Sequence, residues 1–236
     1  MESRVVTRRV LAGITIIGAA ACGGHTGAAG SQAPVPAPVP ATVREAAAPD
    51  QIATSGLIPP GLGTLRQDEI SIVLETNGVR VSALPLDESV IRTLAPDSYR
   101  ALHLYVEDNR KRIAQRASMH GIREPHVWYV QFDGLAPDAR FVWNDITVTS
   151  GGRDFRPVDV VPLTSGFGAE RLQPRERQRG LLIFEEGVDA TQALAVSIGT
   201  VRNVDWDLGS TGILQKLDTE RASIRGRATS QPAKKP

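Results

Sequence analysis

Short stretches of alternating apolar and polar residues, separated by turn residues, run through the chain from residue 70 to residue 198. They are densest between Phe141 and Ile198, where a turn signal recurs about every ten residues. This spacing is typical of antiparallel β-sandwiches, in which each strand shows one face to the core and one to solvent. The sequence therefore predicts a mainly β fold, arranged as an antiparallel β-sandwich.

The first unit of that fold is a predicted hairpin. Asn77-Gly78 is a strong signal for a two-residue turn, and alternating stretches flank it on both sides. Such a turn pairs Thr76 with Val79, and this register brings the apolar residues of both strands to one face. Those residues are Ile72, Leu74, Val81 and Ala83.

A helical insertion is predicted directly after this hairpin, over residues 87–121. Asp87 is suited to cap a short helix, and Pro96 to begin a longer one, because proline at the first helical position loses no hydrogen bond. Apolar residues then recur at helical spacing at Tyr99, Leu102, Val106 and Ile113. Gly121 is suited to end the helix.

The strands after the helix have distinct predicted positions. Trp128, Val130 and Phe132 share one face and are predicted to fill the core. The stretch from residue 154 to residue 160 contains Pro157, which favours a sheet edge or a bulge. Leu181–Phe184 is apolar on both faces, as a central buried strand requires.

Three segments of the predicted sandwich stand out: a proline-bearing strand, a Leu-x-Pro-x-Glu turn and an apolar strand that begins with glycine. They are Phe155-Arg-Pro157, Leu172-Gln-Pro-Arg-Glu176 and Gly180-Leu-Leu-Ile-Phe184. Together they resemble the telokin-like, immunoglobulin-fold domains of bacterial exported lipoproteins. The resemblance implies that the Leu-x-Pro-x-Glu turn introduces a central strand. It also implies an immunoglobulin-like sandwich that binds or assembles with other proteins without catalysis. The helical segment 87–121 departs from this family pattern.

The N-terminus has the three parts of an export signal, predicted over residues 1–21. Arg4, Arg8 and Arg9 precede an uncharged apolar run from Val10 to Ile17, and small residues follow. This run is shorter than the roughly 20 apolar residues that span a bilayer, so it is interpreted as a cleaved signal. The pair of arginines also resembles a twin-arginine signal, and a plain basic region is the alternative.

Cys22 is the only cysteine of the chain and directly follows the small residues. This position resembles the processing site of bacterial lipoproteins, with cleavage after Ala21 and a lipid attached to Cys22. The site departs from the usual pattern because Ala19 stands where leucine is common. The alternative is ordinary cleavage that leaves a free thiol. A single cysteine also excludes a disulfide within the chain.

The two ends of the chain lack the composition of a core. Residues 22–65 are rich in Pro, Ala and Gly and are predicted to form an extended tether. Residues 211–236 are polar and are predicted to form a disordered tail. The predicted sandwich domain therefore covers residues 66–210.

Composition and motifs supply few candidates for chemistry. The net charge is +1, and no basic stripe alternates with aromatic residues, so nucleic-acid binding is not predicted. His103, His120 and His126 lack the spacing of a metal site, and no cofactor motif is present. Four acidic residues could supply oxygen ligands to calcium, but they lack the glycine-containing loop of such a site, so two solvated acidic edges are the favoured interpretation. These residues are Glu185, Glu186, Asp205 and Asp207.

Three functions are compatible with these observations. The leading hypothesis is an envelope lipoprotein, anchored to the membrane by lipid, whose sandwich binds a protein partner through loops or an edge strand. The second is a periplasmic hydrolase, and the third is a small-ligand or metal-binding module. No catalytic residue is predicted.

A distinctive site is expected where the helical segment meets the sandwich. The basic cluster within that segment (Arg110, Lys111, Arg112 and Arg116) is interpreted as a solvated helix end, with anion binding as the alternative.

Overall fold

The structure is a computed structural model and describes residues 56–168 and 171–230. The predicted export signal, the cleavage after Ala21 and the lipid attachment at Cys22 lie outside the described residues. Within the described ranges, none of the helices is long and apolar enough to cross a bilayer.

Antiparallel sheets form the centre of the fold. The strands are β1 (Ile72–Thr76), β2 (Val79–Pro85), β3 (His126–Gly134), β4 (Ala139–Arg140), β5 (Ile146–Ser150), β6 (Arg153–Phe155), β7 (Asp159–Pro162), β8 (Arg171–Leu172), β9 (Arg177–Phe184), β10 (Leu194–Ile198) and β11 (Val201–Asn203). The order in the five-stranded sheet is β1-β2-β3-β9-β7, and in the four-stranded sheet β11-β10-β5-β6. A small ribbon pairs β4 with β8. Both larger sheets contribute to one hydrophobic core, which confirms the mainly β, antiparallel prediction.

Four α-helices accompany the sheets: α1 (Gln67–Ile70), α2 (Glu88–Ile91), α3 (Pro96–Met119) and α4 (Ile213–Ser230). Helix α3 begins at the predicted proline, and the Asp87 side chain caps α2 by accepting a hydrogen bond from the Ser89 amide at 2.8 Å. Leu102 and Ile113 of the predicted stripe are buried. The helical insertion thus follows the first hairpin, as the sequence predicts.

The hairpin has the predicted register. Thr76 pairs with Val79 across the Asn77-Gly78 turn, and the apolar residues of β1 and β2 are buried on one face. Asn77 and Gly78 have φ angles of 49° and 73°, which are the positive values that this turn requires.

The stretch containing Pro157 forms two strands instead of one. Strand β6 lies at the edge of the four-stranded sheet and β7 at the edge of the five-stranded sheet, with Pro157 in the connection between them. The edge position is therefore confirmed. The region of dense turn signals that begins at Phe141 has its first long strand only at Ile146, because Trp143–Asp145 form a 3-10 turn.

Strands β3 and β9 are buried on both faces over much of their length. Trp128, Val130 and Phe132 point into the core, and Tyr129 on the opposite face is 5% exposed. The ring of Tyr105 on α3 stacks on Tyr129 with centroids 5.8 Å apart, so this helix covers the outer face of the sheet. Leu181–Phe184 is fully buried within β9, which lies between β3 and β7 as a central strand should.

Both ends of the described chain differ from the prediction. Residues 213–230, predicted to be a disordered tail, form α4, because Ile213, Leu217 and Ile224 are spaced to bury one stripe of the helix. Residues 56–65, predicted to belong to the tether, instead form an arm that packs on the domain. Ile58 of this arm is 4% exposed. The described fold therefore extends beyond the predicted boundaries at residues 66 and 210.

Candidate functional site

A groove of about 490 Å³ runs along the second half of α3, where the helix meets the loop that leads into β3. We call it the α3 groove. Apolar side chains dominate its lining, and two arginines stand at its rim. The lining includes Val106, Ile113, Ala114, Ala117, Ile122 and Pro125, with Arg110 and Arg123 at the rim. The groove lies at the C-terminal end of the helical segment, next to the start of β3.

The end of α3 forms one corner of the groove. The Ile122 amide donates to the Ala117 carbonyl at 3.0 Å, and Gly121 between them has a φ angle of 74°. This is the Schellman arrangement, in which a glycine with positive φ lets the chain turn back over the last helical turn. Ile122 and Ala117 are thereby brought together as the apolar end wall.

The loop wall is held by a carboxylate from a neighbouring turn. Glu186 Oε1 accepts hydrogen bonds from the amides of Arg123 and Glu124, at 3.3 and 3.2 Å. A carboxylate bound to backbone amides orders a loop through charge-assisted hydrogen bonds. The loop that carries Arg123 therefore has a defined position beside α3.

Helix α3 is fixed to the sheet at two points along the groove. Tyr105 stacks on Tyr129, and burial raises the pKa of the Tyr129 hydroxyl. Near the end of the helix, Arg116 forms an ion pair with Asp159 on β7, and that carboxylate also accepts a hydrogen bond from the Val160 amide at 2.7 Å. The helix wall is therefore preorganised.

The two charged side chains that line the groove, Arg110 and Arg123, are both positive. Arg110 forms an ion pair with Glu107 at 2.6 Å, and its side chain is 72% exposed. The guanidinium of Arg123 has no ion pair or hydrogen bond to any residue that the structure describes. An exposed pair of this kind contributes little stability, so both arginines are available to an incoming carboxylate.

A second polar cluster lies outside the groove, between α2 and α3. Glu88 accepts a hydrogen bond from Arg92 and contacts His103 Nδ1 at 2.9 Å, while the Tyr99 ring stacks on the imidazole with centroids 5.3 Å apart. Burial and the negative charge of Glu88 raise the pKa of Tyr99. Since Arg92 also donates to the Ile58 carbonyl at 3.1 Å, the cluster joins the arm to α2 and α3.

The histidines considered in the sequence are placed apart. His103 contacts Glu88, and His120 lies 3.6 Å from Asp159. His126 begins β3 and lines a depression of about 170 Å³ next to the α3 groove. Among residues 56–168 and 171–230, no group of three or more His, Cys, Asp or Glu side chains is placed to hold a metal ion.

Of the four acidic residues that could supply calcium ligands, two have separate hydrogen-bond partners and two are exposed. Glu186 binds the 122–125 loop, as described above. The Asp205 carboxylate accepts a hydrogen bond from Asn203 Nδ2 at 2.7 Å. Glu185 and Asp207 are exposed. The structure therefore does not assemble these residues into one site.

Sequence reasoning located the α3 groove only in outline. It identified α3 and its basic cluster, but it missed Arg123 and interpreted Glu186 as part of a solvated acidic edge, because the contact between the 122–125 loop and the turn after β9 joins residues that are 63 positions apart. The available signal was Gly121, which predicts a reversal of the chain over the end of α3.

Comparison with protein-family models, curated protein sequences and solved structures finds no significant match to this chain. Function is therefore inferred from the chain itself.

Proposed function

We propose that this chain is a membrane-anchored envelope lipoprotein whose immunoglobulin-like β-sandwich is a non-catalytic protein-interaction module. The observation that carries the interaction function is the α3 groove, an exposed apolar recess with fixed walls. Exposed apolar recesses rimmed by polar residues are typical of binding surfaces. The export and anchoring part of the proposal depends on the N-terminal signal pattern and on Cys22.

The sheet arrangement supports an immunoglobulin-like sandwich. Two antiparallel sheets share one core, and the chain passes from the edge of one sheet to the edge of the other at Pro157. Side chains from two facing sheets that interdigitate in this way are characteristic of sandwich folds. The helical segment α2–α3 is then a decoration on the outer face of one sheet.

The sheet edges are poor sites for strand addition, so binding through the groove is favoured. On β7, the Val160 amide is occupied by Asp159, and Pro162 has no N–H to donate. On β1, the Val73 carbonyl accepts a hydrogen bond from Asn203 Nδ2 at 3.0 Å. Strands β6 and β11, the two edges of the four-stranded sheet, have only three residues each. Occupied, proline-bearing and short edges all discourage pairing with another chain.

The anchoring part is tested by cell fractionation. Cys22→Ser should move the full chain from the membrane fraction to the soluble fraction, because the sulfur that carries the lipid is lost. Ser31→Ala, a change within the tether, is the matched control and should leave the distribution unchanged. Membrane association that survives Cys22→Ser contradicts the lipid anchor.

The interaction part is tested by photo-crosslinking in cells that make the full chain. A photoreactive residue is placed at Ser118 beside the groove, at Asp154 on β6 and at Leu208 on another exposed surface. We expect a discrete protein adduct at Ser118. If none of the three positions gives an adduct, the interaction function is wrong.

A small-ligand module is the second candidate, because the volume of the α3 groove falls within the range of ligand sites, roughly 300–1,000 Å³. An adduct of low mass in place of a protein adduct would favour it. Mass spectrometry of the full chain purified under native conditions makes this distinction.

A further inference from the structure

We propose that the α3 groove binds an acidic, amphipathic segment of the partner protein. Apolar side chains of that segment enter the groove, and its carboxylates pair with Arg110 and Arg123. This inference rests on the proposed interaction function and specifies the chemistry of the partner.

The floor of the groove selects apolar side chains. Ile113 and Ala117 are 5% and 1% exposed, so they lie below the surface of the helix. The small side chains of Ala114 and Ala117 leave the space that a branched or aromatic residue would otherwise fill. An amphipathic segment presents such anchors on one face, which is how helices bind in grooves.

The rim selects negative charge. From residue 109 to residue 123 the chain contains five Lys and Arg residues and no Asp or Glu. Two of these cations, Arg110 on α3 and Arg123 on the loop that follows it, line the groove. A concave site lined with one sign of charge steers oppositely charged partners and accelerates their association.

The walls are already in place before a partner arrives. Glu186 holds the backbone of the loop that carries Arg123, and the Arg116–Asp159 pair holds the end of α3. A preorganised site loses less conformational entropy on binding, so moderate contact area suffices for useful affinity.

The recessed floor favours a protein segment over an anionic membrane surface. A bilayer can approach the projecting arginines, but a flat surface does not reach Ile113 and Ala117 at the bottom of the groove. A side chain of a partner segment can enter the recess and cover the part-exposed apolar side chains of Val106, Ile122 and Pro125.

The test is a selection of random peptides displayed on phage against the purified full chain. Enriched peptides are synthesised, and their affinities are measured by fluorescence anisotropy at low and high salt. The variants are Ala114→Trp, which fills the groove from an exposed helical position, and Arg123→Glu, which reverses one rim charge. Arg100→Glu is the matched control, because it makes the same charge change at an exposed residue on the first turns of α3. Circular dichroism verifies that each variant is folded.

We expect enriched peptides that combine Asp or Glu with large apolar residues. Their affinity should fall about tenfold or more in Ala114→Trp and in Arg123→Glu, should remain unchanged in Arg100→Glu, and should weaken with salt. Absence of enrichment, enrichment of neutral or basic peptides, or affinity that is indifferent to Ala114→Trp overturns the inference.

Binding to vesicles that contain phosphatidylglycerol tests whether the groove contacts an anionic membrane instead of a protein segment. If the full chain floats with these vesicles, if Arg123→Glu abolishes this flotation and if no peptide is enriched, the surface is assigned to a membrane and the inference is overturned.

A different result would contradict the proposed interaction function, namely no photo-crosslink at any of the three positions. Photo-crosslinks at Asp154 or Leu208 but not at Ser118 leave that function standing while the groove assignment fails.

Discussion

The carboxylate of Glu220 on α4 accepts hydrogen bonds from both the amide and the hydroxyl of Thr64, at 2.9 and 3.0 Å, although 156 positions separate the two residues. Arg227, two turns further along the same helix face, donates to Glu220 at 2.6 Å and to the Leu62 carbonyl at 2.8 Å. Glu220 is 8% exposed. These contacts fasten the arm to α4, so the two ends of the described chain stabilise each other.

Replacing Glu220 should therefore destabilise the domain. Glu220→Ala leaves the Thr64 donors and the Arg227 guanidinium without their acceptor, and we expect a loss of about 2–3 kcal/mol in the free energy of unfolding. Urea denaturation of the full chain measures it. The exposed pair at Glu107 provides the control, and Glu107→Ala should cost about 0.5 kcal/mol or less. Equal effects of the two changes would show that Glu220 does not fasten the arm.

Alanine substitutions at two equivalent turn glycines should distinguish the cost of backbone strain from the cost of a steric clash. Gly78 and Gly152 each occupy the second position of a two-residue hairpin turn, with φ angles of 73° and 76°. A Cβ at Gly78 would lie 2.8 Å from the Ala136 side chain, whereas a Cβ at Gly152 would meet nothing within 4 Å. Gly152→Ala should cost about 1–2 kcal/mol from strain alone, and Gly78→Ala about 1 kcal/mol more. Thermal unfolding compares them, and equal losses would show that the contact at Ala136 relaxes freely.

The aromatic cluster at the hairpin end of the core is expected to be a principal source of stability. Phe132 is 1% exposed, and its ring centroid lies 4.2 Å from that of Phe141 and 6.0 Å from that of Phe167. Phe132→Ala should lower the free energy of unfolding by about 3–5 kcal/mol. Leu104→Ala removes a side chain that is 47% exposed on α3 and should cost less than about 1 kcal/mol. Chemical denaturation of both variants tests whether this end of the core is packed as described.

Stability should fall in acid partly through Asp189. The hydrogen bond from the Thr191 hydroxyl lowers the pKa of this carboxyl group, more than partial burial raises it. A carboxyl group whose pKa is lower in the folded state contributes stability above its unfolded pKa of about 3.9 and loses it as the pH falls through the folded value. Asp189→Asn should therefore flatten the dependence of unfolding free energy on pH below about pH 5. Parallel pH profiles for the variant and the natural chain would contradict this assignment.

Local patterns predicted the elements whose determinants are close in sequence. The Asn77-Gly78 turn set the register of β1 and β2, and Pro96 marked the first residue of α3. Both succeed because turn geometry and helix initiation depend on a few adjacent residues. The position of β9 followed from the same reasoning, since a short stretch apolar on both faces requires cover from both sides.

Helix α4 was not predicted, because its polar composition concealed a narrow apolar stripe. Leu217 is fully buried and Ile224 likewise, yet the residues between them are mostly polar or charged. Such a stripe forms a stable helix only when another surface covers it. That surface is assembled by the chain around Trp206, just before α4, together with the arm and α1, which are about 150 positions away in sequence.

The α3 groove also combines features that local sequence predicts with features that depend on contacts between distant residues. Local patterns in the sequence predict a basic, amphipathic helix after the first hairpin and a succession of antiparallel strands, and the N-terminus resembles an export signal. The recess that the end of α3 and the 122–125 loop enclose, with Arg110 and Arg123 in its lining, is a product of tertiary packing. Periodicity and turn signals are local, whereas the placement of the loop depends on Glu186, a carboxylate 63 residues away from Arg123. No local pattern encodes such a contact, since it arises when packing brings distant segments together.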